Sequence, residues 1–152
     1  MIATPVACVI DASVGVKLVI TEALSNEARA LFAHLARDPL ACFYVPDLFD
    51  IECANILWKQ IQRAGYPLVD AQANLTALTA LAMQRLPVTL LAADALTLAA
   101  NHGISAYDAS YVALSQRVGA PLITADAKLV AKLAKTSYSV LDLGKLVIPP
   151  PP

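Results

Sequence analysis

The sequence predicts an α/β fold of three layers, α/β/α, around a central, mostly parallel sheet of four to five strands. Two observations carry this prediction. Short apolar runs bounded by turn residues alternate along the chain with longer segments of helical periodicity. The short runs are also apolar throughout instead of at every second residue, as strands covered on both faces are. Alternating strand and helix implies right-handed crossovers, parallel strands and helices on both sides of the sheet.

In chain order, residues 6–10 form the first candidate strand, and Asp11 follows it directly. A helical pattern over 24–36 leads to a second strand at 42–45, and Pro46 introduces a helix over 48–63. A further helix over 68–85 precedes a third strand at 88–91. The next helix, 93–101, stops at Gly103 as a C-cap. A helix over 109–118 is followed by Gly119 and Pro121, which start the strand 122–124, and 139–141 is a fifth strand candidate. No internal repeat is present. Residues 1–148 read as a single domain, as expected for a chain of 152 residues. Pro149 to Pro152 cannot make ladder hydrogen bonds and read as an extended or disordered tail without chemistry.

Composition bounds the function. Hydrophobic residues make up 58% and charged residues 15%, against about 25% charged in ordinary domains, so the chain fills a sizeable core and is not disordered. The mean hydropathy of +0.61 raises a membrane reading. The longest stretch free of Asp, Glu, Lys and Arg is only 71–84 and contains Gln, Asn and Thr, whereas a spanning helix needs about 20 mostly apolar residues. No membrane segment is expected. The first basic residue is Lys17 and Asp11 interrupts the apolar opening, so no secretory signal is expected either. Cys8, Cys42 and Cys53 are odd in number, lack C-x-x-C spacing and read as buried thiols in a reducing, cytoplasmic compartment. Eleven basic against twelve acidic residues give a net charge of -1, which leaves no electrostatic footprint for a polyanion.

Several chemistries are missing. None of the five glycines builds a phosphate-cradling motif of the dinucleotide or P-loop kind. There is no G-x-S-x-G elbow, and His34 and His102 lie in or at the end of helices without H-E-x-x-H spacing. What remains is carboxylates. Asp11 and Asp126 each end an apolar strand, and Asp108 opens the apolar run from Ala109 to Leu114. Each alone is explained by helix capping, worth about 1 kcal/mol. Glu52 is not, because it lies inside a helix whose apolar stripe is Ile51, Ala54, Trp58 and Ile61, with Glu52, Asn55 and Lys59 on the opposite face. In an open α/β sheet, ligands gather beyond the carboxyl ends of the strands, and all four acids adjoin that edge. Two carboxylates about 4 Å apart repel by roughly 4 kcal/mol at an effective dielectric constant of 20, so such a cluster calls for a divalent cation. An all-oxygen donor set selects a hard ion, Mg2+ or Mn2+, and phosphoryl chemistry is the natural consequence.

These residues resemble the PIN-domain family, and within it the VapC-type ribonuclease toxins of bacterial toxin-antitoxin pairs. The resemblance covers nearly the whole chain. Val9-Ile10-Asp11-Ala12-Ser13-Val14 is similar to the opening motif, and the run from Pro46 to Leu57 to the P-x-L-x-x-x-E-x-x-N-x-L helix. The run from Ser105 to Leu114 is similar to the S-x-x-D-A-x-Y segment, and Pro121 to Asp126 to the L-x-T-x-D strand end. Ser115 and Ala127 depart from the family pattern without touching the acids.

The resemblance implies that Asp11, Glu52, Asp108 and Asp126 are the catalytic, metal-binding acids of an Mg2+- or Mn2+-dependent endoribonuclease, with Ser13, Asn55 and Thr124 as polar neighbours. It also implies an RNA substrate, a cognate antitoxin and, with this apolar composition, a homodimer. Lys17, Lys59, Arg63 and the stripe Lys128, Lys132, Lys135 are the only basic groups expected near the site. The rival reading is a catalytically silent scaffold for protein or RNA. A phosphatase using Asp11 as nucleophile lacks a second Asp two residues on, where Ser13 stands.

Overall fold

The computed structural model describes residues 2–148, so the proline tail at 149–152 lies outside the described residues. After a short edge strand β1 (Ile2–Ala3), the central strand β2 (Ala7–Ile10) runs into a one-turn helix α1 (Ala12–Gly15). A 3-10 turn at Val16–Leu18 then leads to α2 (Ser25–Arg37) and β3 (Cys42–Pro46). Two helices, α3 (Phe49–Ala64) and α4 (Leu68–Thr79), precede β4 (Gln84–Leu86). Next come α5 (Ala92–His102), α6 (Ala106–Val118), β5 (Leu122–Thr124), α7 (Ala127–Leu133), β6 (Val140–Asp142) and β7 (Leu146–Val147).

Five strands form one wholly parallel sheet in the order β4-β3-β2-β5-β6, and β1 pairs with β7 in a separate parallel ribbon. The three-layer α/β/α arrangement expected from the sequence is what forms, with helices flanking a parallel sheet. From β2 the chain builds outward through β3 and β4, then returns to the other side of β2 for β5 and β6. The direction of winding therefore reverses between β2 and β5, and the crevice beyond their carboxyl ends is where such sheets bind ligands. Register pairs Ile10 with Ile123, and the Asp11 N–H donates to the Ile123 carbonyl at 3.1 Å. The residue after each of these strands thus emerges at one place.

The sheet is anchored by fully buried Ile10, Phe43, Leu122 and Ile123, with Phe49 and Tyr111 from α3 and α6 packed into the same core. Each such side chain contributes roughly 1.5–3 kcal/mol on burial, and Phe32 adds an edge-on contact to Phe43 at 5.2 Å between ring centroids. Gly15 lets α1 settle on α3: a Cβ there would stand 2.5 Å from Phe49 Cζ. That close approach sets the strand end carrying Asp11 against the helix carrying Glu52.

Four sequence expectations are corrected. Residues 88–91 are not a strand; Val88–Leu90 is a 3-10 turn, and the edge strand is β4, four residues earlier. Asp47 is the cause, because its N–H donates to the Leu86 carbonyl while its Oδ1 accepts from the Val88 N–H, turning the chain at Pro87. The helix expected to reach residue 85 stops at Thr79. Arg85 fixes that end: its guanidinium binds both oxygens of Asp50 at 2.8 and 3.0 Å and reaches the Leu78, Thr79 and Leu81 carbonyls. The apolar stripe assigned to α3 is wrong as well, since its buried face is Phe49, Cys53 and Leu57, whereas Ile51 is 69% and Trp58 54% exposed. Finally, Cys8 and Cys53 are buried free thiols as expected, but Cys42 is only half-buried.

Replacing Arg85 with Ala leaves Asp50 without its two-pronged donor and removes one donor from each of three carbonyls. The expected loss is about 1–2 kcal/mol, read as a drop of roughly 3–8 °C in the thermal midpoint. Lysine cannot restore the two-pronged contact. For Gly15→Ala, overpacking against Phe49 lowers stability by about 1–3 kcal/mol in chemical denaturation.

Candidate active site

Asp11 ends β2 with its side chain only 6% exposed. Its Oδ2 accepts two hydroxyl bonds, from Ser13 Oγ at 2.9 Å and from Thr124 Oγ1 at 2.6 Å. Each hydroxyl is itself held by the loop after β5: Ser13 Oγ accepts from the Ala125 N–H at 3.1 Å, and Thr124 Oγ1 from the Asp126 N–H at 3.0 Å. Two backbone amides thus reach one buried carboxylate through two hydroxyl relays. Both relays end on Oδ2, which leaves Oδ1 shared with neither hydroxyl.

The other three acids come from three different elements. Glu52 lies in the first turns of α3, half-buried, at the floor of an open groove of about 560 Å³ flanked by Ile51, Asn55, Trp58 and Tyr107. Asp108 lies in the first turn of α6 but does not cap it; Ser105 Oγ accepts the Asp108 N–H at 3.0 Å and performs that task. The S-x-x-D spacing of a capping box carried this signal in the sequence. Asp126 is the N-cap of α7, its Oδ1 accepting from the Lys128 and Leu129 N–H groups at 2.8 and 3.2 Å. Capping therefore explains one oxygen of Asp126 and none of Asp108.

The acids sense one another. Burial raises the Asp11 carboxyl above its ordinary range, with Asp108 adding to the rise and the two hydroxyls opposing it. Burial pushes Glu52 up to about 7, helped by Asp11 and Asp108 and opposed by the nearby Tyr111 hydroxyl. Asp108 is raised by burial, with Ser105 opposing, Asp126 adding to the rise and Lys132 drawing it back. A chain of repulsion thus links Glu52, Asp11, Asp108 and Asp126 at a single edge.

Two buried polar atoms near this edge lack a hydrogen-bond partner, Glu52 Oε1 and Tyr111 Oη. They are electrostatic neighbours that close no bond of proper geometry. Among the described residues, no three His, Cys, Asp or Glu side chains come close enough to enclose a metal ion by themselves. The Asp11 Oδ1 that neither hydroxyl takes, together with the like-charged acids around it, nonetheless fits a hard cation that keeps several of its waters and takes one or two carboxylates, as Mg2+ does. A cage built for Zn2+ or Ca2+ would need a closed donor set.

A family model described as PIN domain matches residues 8–135. The chain belongs to the PIN-domain family. Ribonuclease VapC3 of Pyrobaculum aerophilum is 33% identical over 127 residues, which cover 82% of this chain and 92% of that protein. The crystal structure of PAE2754 from Pyrobaculum aerophilum matches with a TM-score of 0.63 at 24% identity, covering 91% of this chain and 84% of that one. A toxin-antitoxin complex from Klebsiella pneumoniae matches at 0.61 and 16%, covering 90% and 97%. Both structural likenesses are likenesses of fold.

Within this PIN domain the polar neighbours divide. Ser13 and Thr124 hold Asp11, whereas Asn55 is exposed and lines the groove beside Glu52. The expected basic surface is thinner than the sequence suggested. Lys17 is buried in an ion pair with Glu22 at 2.8 Å, so it is not free to meet a ligand. Lys132 donates to the Gly103 carbonyl at 2.7 Å and is the cation that acts on Asp108. Nothing in the sequence marked Tyr111 as a partner of Glu52, because residues from separate helices meet only through packing. Cys53 belongs to the core behind the acids, where burial and the neighbouring carboxylates push its thiol up and keep it unreactive.

The raised carboxyl of Glu52 predicts how stability depends on pH. The unfolded chain releases this proton near 4.5 and the folded chain near 7. Between those values the folded state binds more protons, so stability falls as pH rises. In chelator, the thermal midpoint should decline from about pH 4.5 to about pH 7, and Glu52→Gln should flatten that decline. Added Mg2+ should restore more stability at the upper end of the window than at the lower.

Proposed function

We propose that this PIN domain is an Mg2+- or Mn2+-dependent endoribonuclease that hydrolyses RNA phosphodiesters, acting as the toxin of a toxin-antitoxin pair. The observation that carries the reading is the buried Asp11 carboxylate, fixed by Ser13 and Thr124 at the point where the sheet reverses its winding. Three further acids face the same edge. The similarity to a protein named as a VapC ribonuclease supports the same reading.

Asp11 and Asp108 are the residues that would hold the ion directly, with Glu52 and Asp126 holding a second ion or its waters. A bound Mg2+ or Mn2+ would supply Lewis-acid polarisation of the phosphate and a water acidic enough to attack near neutral pH. The chain's own contribution is orientation. Ser13 and Thr124 fix the plane of the Asp11 carboxylate, and the backbone of the loop after β5 fixes them. The loop N–H groups of Ala125 and Asp126, which donate to Ser13 and Thr124, and the Asp126 cap tie α7 to this edge, so the attacking group meets a rigid frame.

The RNA is held with little positive charge. Trp58 and Tyr107 present exposed aromatic faces across the groove above Glu52, and such faces stack on unpaired bases independently of sequence. Single-stranded or looped RNA is therefore the substrate class. A protein partner shares one side of this groove: the exposed apolar residues Ile51, Trp58, Leu68 and Val69 lie along α3 and α4, and exposed apolar surface of this kind marks interaction sites. An antitoxin segment and a second copy of the chain are the occupants this reading assigns. Among the described residues, no helix is long and apolar enough to cross a membrane.

Asp11→Asn should abolish metal-dependent cleavage of total RNA, by at least about a hundredfold as loss of a transition-state charge partner does, while circular dichroism and melting show an intact fold. Cleavage by this variant at the wild-type rate in metal-matched buffer would sink the assignment. Calorimetric Mn2+ titration separates it from the scaffold reading, since a scaffold shows no binding that depends on Asp11 or Asp108. Light scattering at micromolar concentration should return a dimer.

A further inference from the structure

We propose that Tyr111 is a positioning residue that acts through Glu52: with a cation bound, its buried hydroxyl donates to Glu52 Oε1 and so turns the opposite carboxylate oxygen toward the site. The proposal rests on reading the acids as a cation-holding centre. Tyr111 is 1% exposed, and its Oη is one of only two buried side-chain polar atoms without a partner among the described residues; the other is Glu52 Oε1. That the two orphans belong to side chains that act on each other is informative, since native cores leave few polar atoms unpaired and those few mark a function or an unfilled place. Were Tyr111 only core filler, phenylalanine would fill the same volume without an unmet hydroxyl.

A tyrosine hydroxyl is a donor and a carboxylate oxygen an acceptor, so each of the two orphans supplies what the other lacks. Oε1 faces the protein interior, whereas Glu52 also lines the groove. A bond to Oε1 therefore assigns the two oxygens separate tasks, one held by the protein and one presented to the ion. This is the role that outer hydrogen-bond partners play for metal-ligating carboxylates.

The test uses the full chain and Mn2+ as the probe. Tyr111→Phe should leave the melting of the metal-free protein unchanged or slightly raised, because it deletes an unsatisfied buried group. Its Mn2+ affinity by calorimetry should fall by about 10–100-fold, and its kcat on RNA should fall while KM stays at the wild-type value. In a Glu52→Gln background, the same substitution should have no further effect on Mn2+ affinity. Wild-type Mn2+ affinity in Tyr111→Phe, alongside lost binding in Asp11→Asn, would reduce Tyr111 to a packing residue and overturn the proposal alone. An additive loss in the double variant would overturn the route through Glu52. Wild-type Mn2+ binding in Asp11→Asn would remove the cation-site reading itself, and this proposal with it.

Discussion

A carboxylate buried at the middle of a sheet is the constraint around which this molecule is arranged. Asp11 sits where burial disfavours its charge and where Glu52 and Asp108 add repulsion. The fold answers with two hydroxyls, each backed by a backbone amide of the neighbouring strand's loop. Those bonds cross between β2 and β5, so the same contacts that hold Asp11 also tie the two halves of the winding together. Positioning and stability are therefore joined at this edge, and Ser13 and Thr124 belong to both.

The packing that delivers the remaining acids follows from ordinary core formation. Gly15 admits Phe49 at close range, which brings α3 and Glu52 up to the end of β2. Ser105 takes over the capping of α6 and leaves the carboxylate of Asp108 unspent. Asp126 divides its two oxygens, one capping α7 and the other free of that task. Each acid is thus freed, wholly or in part, from the local role that would otherwise account for it.

Much of this was legible in the sequence because it follows from local chemistry. Uniformly apolar runs marked β2, β3 and β5, and an acid one residue past β2 and two past β5 marked the working edge. Expectations failed where long-range contacts decide the outcome. The helix over 68–85 contains no glycine or proline to stop it, and its end is set by Arg85 reaching back to α4 and across to Asp50. The wrong face of α3 was taken as buried because that helix is apolar on more than one side, and periodicity cannot say which side meets the core. The charge of Lys17 was visible, but its ion pair with Glu22 was not. A helix was expected after Asp126, but the sequence set no bounds for the short α7, because seven residues hold too few turns to show a period.

The groove has a property that comes from composition as much as from shape. Trp58 is the sole tryptophan of the chain, and it stands half-exposed beside Glu52. The molecule therefore carries its single indole fluorophore at the place where a nucleotide or a partner segment would shield it from water. With excitation to the red of tyrosine absorption the five tyrosines stay dark, and the colour and intensity of the indole emission speak for that location. A spectrometer can follow occupancy of the groove in solution without any label being attached.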